Sequence, residues 1–160
     1  MEPILAAATP TVGALGVIPN VHPLLVHFPI ALLIAALVLD LVALFARKDR
    51  LTVGTGAILV LAALGAAAAL ITGFLAEETV EAMPPDEARH ETLEAHELAA
   101  IAVLVLTIAL ALWRVAARME YPQGRLRWLY LALLAVACVL VSITGHLGGT
   151  LVYVHGVGVR

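Results

Sequence analysis

Six histidines are the residues of this chain best equipped for chemistry. Imidazole ligates haem iron as well as Zn, Cu, Ni and non-haem Fe, and helical bundles build such sites from side chains on facing helices. His27, His96 and His146 each sit in or beside a long apolar run, where an unpaired polar group is costly and marks function by default. Their distances to the nearest basic cluster agree: His27 stands 20 residues before Arg47, His96 18 before Arg114, and His146 19 after Arg127. At about 1.5 Å of rise per residue, all three reach one level roughly 27 to 30 Å from those charges. His22 lies further out, just before Pro23, and His155 follows the end of the last apolar run. His90, in Asp86-Glu87-Ala88-Arg89-His90-Glu91, falls about 120° around a helix from His96 and is expected in water.

Other chemistries are excluded or weakly supported. Cys138 is the single cysteine, so the chain has neither an internal disulfide nor a CxxCH site for covalent haem. Phosphate-binding loops, nucleophile elbows and HExxH pairs are absent. Met83 and Met119 fall in loop or helix-end positions and offer little as iron ligands. Asp40, seven residues before Arg47, reads as an ion-pair or capping partner of the basic turns, with a proton path as the functional alternative. Gly145, Gly148 and Gly149 beside His146, and Gly65 and Gly73 with Ala69 between them, either let helices pack closely or make room for a flat ring.

The elements that must position these groups are membrane spans. The chain is 62% hydrophobic and only 13% charged, far more apolar than a water-soluble domain. Four apolar runs each approach the 20 or so residues that cross a hydrocarbon core of about 30 Å, and they predict helices over about 23–46, 53–76, 87–118 and 126–149. Residues 1–20 lack a basic start, carry Glu2 and are broken by Pro3, Pro10 and Pro19, so they read as a retained arm and not as a cleavable signal. Of nine Lys and Arg residues, Arg47, Lys48 and Arg50 flank one turn, and Arg114, Arg118, Arg125 and Arg127 flank the other. The positive-inside bias turns both toward the cytoplasm and leaves both termini outside, with residues 77–97, which hold eight of the twelve acids. Asp86 after Pro84-Pro85 is a good N-cap, so the third helix is expected to begin near Glu87, clear of the bilayer. Trp113, Trp128 and Tyr130 are expected at the cytoplasmic interface.

The sequence also echoes itself. Ile71-Thr72-Gly73-Phe74-Leu75-Ala76 resembles Ile143-Thr144-Gly145-His146-Leu147-Gly148, and His27 and His96 stand at comparable helix ends. A duplicated hairpin makes the first and third helices diagonal partners in an up-down bundle, with His27 facing His96.

Two longer blocks carry a family resemblance. His22-Pro23-Leu24-Leu25-Val26-His27-Phe28-Pro29-Ile30-Ala31-Leu32-Leu33 and the tail from Gly145-His146-Leu147-Gly148-Gly149-Thr150 through Val152-Tyr153-Val154-His155-Gly156-Val157-Gly158-Val159 resemble the signature blocks of a bacterial membrane-protein family catalogued as domain of unknown function 2231. The similarity runs from Val21 to the chain's end. It implies a four-span fold and makes His22, His27, His96, His146 and His155 the positions to watch. The resemblance also suggests that similar segments occur near c-type cytochrome modules, which would suit a redox role.

The expectation is an all-α, four-helix membrane protein of the bacterial inner membrane, acting as a b-type cytochrome: an electron carrier rather than an enzyme. It would bind one haem b, or two, near the outer face and exchange electrons with a soluble c-type cytochrome or a quinone. The first haem falls to His27 and His96, leaving His146 with His22 or His155 for a second; Gly145 and Gly149 line the site. One alternative is a Cu or Zn binding or transport protein using His27, His96, His146 and His155, and another is a cofactor-free scaffold.

Overall fold

The computed structural model describes residues 21–46 and 50–158, in which every regular element is helical. The expected N-terminal arm, and Arg47 and Lys48 of the first basic turn, lie outside the described residues. A short helix α1 (His22–Leu25) leads into α2 (His27–Ala46), followed by α3 (Arg50–Glu81), α4 (Glu87–Ala116) and α5 (Arg125–Tyr153). Four helical segments are long and apolar enough to cross a membrane: His22–Ala46, Val53–Glu77, Glu87–Ala116 and Arg125–Tyr153. The last of these outruns the expected 126–149 because Gly145, Gly148 and Gly149 stay helical among apolar neighbours.

Local sequence explains the ends. Pro29 has no N–H to give the carbonyl of Leu25, so one helical hydrogen bond is missing where α1 passes into α2 through Val26, whose backbone stays helical (φ -62°, ψ -24°). Asp86 caps α4, its carboxylate accepting from Arg89 N at 3.3 Å, which satisfies one of the amides a helix start leaves unpaired. At the C-terminal end of α4, Arg118 and Met119 take left-handed backbone (φ 53° and 64°), and Met119 N bonds back to Arg114 O at 2.7 Å.

The bundle runs up and down. α2 packs against α3 and α5, and α4 against the same two, so α2 and α4 are diagonal. Apolar side chains at Ile34, Val38, Val42 and Phe45 on α2, and Ile101, Val105, Ile108 and Leu112 on α4, face outward. The buried residues are those between helices, and they show the duplication in a register different from the expected one. On α2, Pro29, Leu33, Ala36 and Asp40 are buried; on α4, Val103, Thr107, Leu110 and Arg114 are, an offset of 74 residues (29 to 103, 40 to 114). On α3, Thr55, Gly56, Leu59, Ala62 and Ala66 correspond to Tyr130, Leu131, Leu134, Ala137 and Val141 on α5, an offset of 75 (55 to 130, 66 to 141). The extra residue falls in the turn between α4 and α5. This register matches His22 with His96 and Gly73 with Gly148, so the expected match of His27 with His96 and of Gly73 with Gly145 is corrected.

Tyr130, expected at the cytoplasmic interface with Trp113 and Trp128, stands near the basic end of the bundle but is fully buried inside it, its hydroxyl donating to Asp40 Oδ2 at 2.8 Å, because a phenol hydroxyl beside a buried carboxylate satisfies a costly acceptor.

Candidate functional site

The histidines gather at one end of the bundle, but the pair that meets is His22 and His96. Their ring centres are 6.3 Å apart, with planes at 84°. His22 reaches this point because α1 packs against α3 as well as α2. His96 reaches it from the third turn of α4, the helix diagonal to α2.

Both rings are anchored in the same manner. His22 Nδ1 lies 2.9 Å from Ala69 O and 3.3 Å from Thr72 Oγ1; His96 Nδ1 lies 3.0 Å from Thr144 O. A carbonyl only accepts, so in each ring Nδ1 carries the proton, and the neutral ring has its lone pair on Nε2. One turn beyond each accepting carbonyl stands a glycine. A Cβ at Gly73 would come within 3.1 Å of His22 Cε1, and one at Gly148 within 3.2 Å of His96 Cε1. The absence of a side chain at 73 and 148 makes the ring positions available.

The other expected site residues lie apart. His27 is exposed, its Nδ1 bonded to Pro23 O at 2.6 Å within its own segment; the extra residue-to-residue rotation from His22 carries it off the inner face. His146 is two residues from both Thr144 and Gly148, roughly 200° around α5 from the face that receives His96, and opens on an apolar groove between α2 and α5 beside Leu37, Cys138 and Leu147. His155 turns back toward the start of α4, with Nδ1 3.6 Å from Asp86 Oδ2 and Nε2 3.3 Å from Thr92 Oγ1. His90 is solvent-exposed, 3.5 Å from Glu94, as expected. Gly145 would place a Cβ only in ordinary contact with Ile30 at 3.9 Å, and Gly149 meets nothing within 4 Å. The close approach therefore falls on Gly148, and not on Gly145 or Gly149, which were expected to line the site. Among the described residues, no three His, Cys, Asp or Glu side chains converge in a group that could hold a metal ion.

A second polar layer lies 18 residues away along α4 (His96 to Arg114) and α5 (Gly148 to Tyr130), about 27 Å at helical rise. Here the carboxylate of Asp40 meets Arg114, both fully buried, so the ion-pair reading of Asp40 holds, with Arg114 as the partner.

Comparison with known proteins adds the family. The sequence matches the family described as "Predicted membrane protein (DUF2231)" over residues 18–160. The chain belongs to it. No curated protein and no solved structure matches the chain. Both anchored histidines, both ring-facing glycines and the buried ion pair fall inside the matched span.

Proposed function

We propose that this member of the family is a membrane-bound b-type cytochrome in which His22 and His96 are the two axial ligands of one haem, with electron transfer as its activity. One observation carries the reading: imidazoles from opposite halves of the chain meet with both Nδ1 atoms committed to backbone carbonyls. Two imidazoles sharing one ion through a nitrogen each, at about 2 Å, would have ring centres about 6 Å apart, a spacing that the 6.3 Å between these two edge-to-face rings allows. A haem supplies four in-plane nitrogens and one-electron chemistry, so two protein donors suffice. The carbonyls of Ala69 and Thr144 fix each ring's tautomer and rotation, the usual duty of groups behind a ligand. Copper or zinc is the weaker reading, because such sites draw on three or four protein donors, and among the described residues no such group forms. His27, His146 and His155 sit with separate neighbours, which favours one haem over two.

The same reading orients the chain in a bacterial inner membrane. Arg114, Arg118, Arg125 and Arg127 lie at the end opposite the histidines, so the basic end faces the cytoplasm and both termini face outward. The histidine pair then lies near the outer face, next to the acidic segment 77–97. Its electron partner is a soluble c-type cytochrome or a quinone.

The test is the optical spectrum of protein purified from haem-replete cells. A reduced-minus-oxidised spectrum typical of bis-histidine haem, with haem extractable into acidified acetone, supports the proposal. A colourless protein overturns it: stoichiometric copper or zinc in that sample would then favour the metal-ion reading, and neither would favour a scaffold.

A further inference from the structure

The second polar layer draws one side chain from each long helix: Asp40 from α2, Thr55 from α3, Arg114 from α4 and Tyr130 from α5, none more than 1% exposed. Thr55 Oγ1 donates to Asp40 Oδ1 at 2.5 Å, and Tyr130 Oη donates to Asp40 Oδ2 at 2.8 Å. Arg114 Nη2 donates to Thr55 Oγ1 at 3.0 Å, and Nη1 stands 3.9 Å from Asp40 Oδ1.

In the register of the repeat, Asp40 and Arg114 are the same position, and so are Thr55 and Tyr130. The surrounding core positions match in apolar character, as in Ala36 with Leu110 and Leu59 with Leu134. Two hairpins so alike in shape could each pair with a copy of itself. Two first hairpins would then oppose Asp40 to Asp40, which must take up protons or repel, and two second hairpins Arg114 to Arg114, whose guanidinium charges cannot be shed. Only the pairing of unlike hairpins brings the charges together. A single polar position that selects a partner at some cost in stability is the best-attested use of buried polar groups in helical assemblies.

We propose that the Asp40–Arg114 pair assigns the inner face of each hairpin to a partner hairpin of opposite charge and excludes a second copy of itself. Within one chain the short connection through Pro84 and Pro85 makes the intramolecular choice the favoured one. The hydroxyls are indifferent to which helix carries the acid. Asp40 has Thr55 on its own hairpin and Tyr130 on the other, and an acid at 114 would have Tyr130 on its own hairpin and Thr55 on the other.

The experiment uses full-length chains carrying two different tags, read by size-exclusion profile and by co-purification in mild detergent. Asp40→Arg alone, or Arg114→Asp alone, places like charges at the centre and should lower the monodisperse yield about tenfold or more. The double variant Asp40→Arg with Arg114→Asp should recover that yield to within about twofold. Co-expressed, the two single variants should rescue each other by exchanging hairpins, purifying as a one-to-one mixed complex that the wild-type pair of tags does not form. A double variant that stays as poor as the singles, a single variant as monodisperse as wild type, or failure of the two singles to form the mixed complex each overturns the assignment. None of these readouts depends on a bound cofactor.

Discussion

At the scale of single residues, the site depends on what is missing at positions 73 and 148. Alanine at an exposed helical glycine stabilises by up to about 1 kcal/mol through backbone entropy. At Gly149, where a Cβ meets nothing within 4 Å, alanine should therefore raise thermal stability or leave it unchanged. At Gly148 the same Cβ would press on His96 at 3.2 Å, and a larger side chain such as leucine should cost about 1 to 3 kcal/mol. Melting curves of the two variants side by side check this, and equal curves would show that the imidazole is not held against α5. Tyr121 offers a second test. Its hydroxyl is buried with no hydrogen-bond partner among the described residues, and burial, reinforced by the negative charge of Asp40 and opposed by Arg127 and Arg114, pushes it up from 10.0 to about 12. A folded-state pKa above the unfolded one gives stability that is complete below pH 10 and lost as pH rises from 10 toward 12. Wild type should thus lose melting temperature more steeply across that window than Tyr121→Phe; parallel slopes would remove Tyr121 from the account. The residue identities of the site were legible in the sequence, but their pairing was not. His22 and His27 are five residues apart, about 140° around a helix at 100° per residue, and only the packing of α1 against α3 decides which of them faces inward.

At the scale of elements, helix positions were legible because length and apolarity decide them in a membrane, and the break before Asp86 was legible from its capping chemistry. The repeat was visible but misregistered, since residues 71–76 resemble 143–148 at an offset of 72, whereas the buried positions of the two helices correspond at 75. The better signal was Asp40 against Arg114 together with Thr55 against Tyr130, chemically unlike residues that share positions and therefore escape a search for similarity. The cap makes its own prediction. Asp86 accepts from Arg89 N and also stands near His155 Nδ1, so Asp86→Ala should cost about 1 kcal/mol and loosen both the first turn of α4 and the returning tail. Hydrogen exchange should quicken at residues 87–92 and 154–157 together. Faster exchange in the helix alone would mean that the tail is held by other contacts.

At the scale of the whole molecule, two polar layers about 27 Å apart bracket an apolar interior, the histidine pair at one end and the Asp40–Arg114 cluster at the other. That spacing is close to the thickness of a hydrocarbon core, and the arginine-rich end sets the proposed direction. In a Cys138→Ala background, an impermeant thiol reagent added outside should label a cysteine at Asp86 and miss one at Gln123; the reverse pattern would invert the molecule, and labelling of both would break the four-span count. The central claim, that His22 and His96 together hold one haem, is tested most directly by haem content per chain in His22→Ala and His27→Ala purified alongside wild type. About one haem per wild-type chain is expected, with loss of it or conversion to a high-spin, ligand-binding form in His22→Ala, and full retention in His27→Ala. Retention in His22→Ala with loss in His27→Ala, or a wild-type protein without haem, would contradict it.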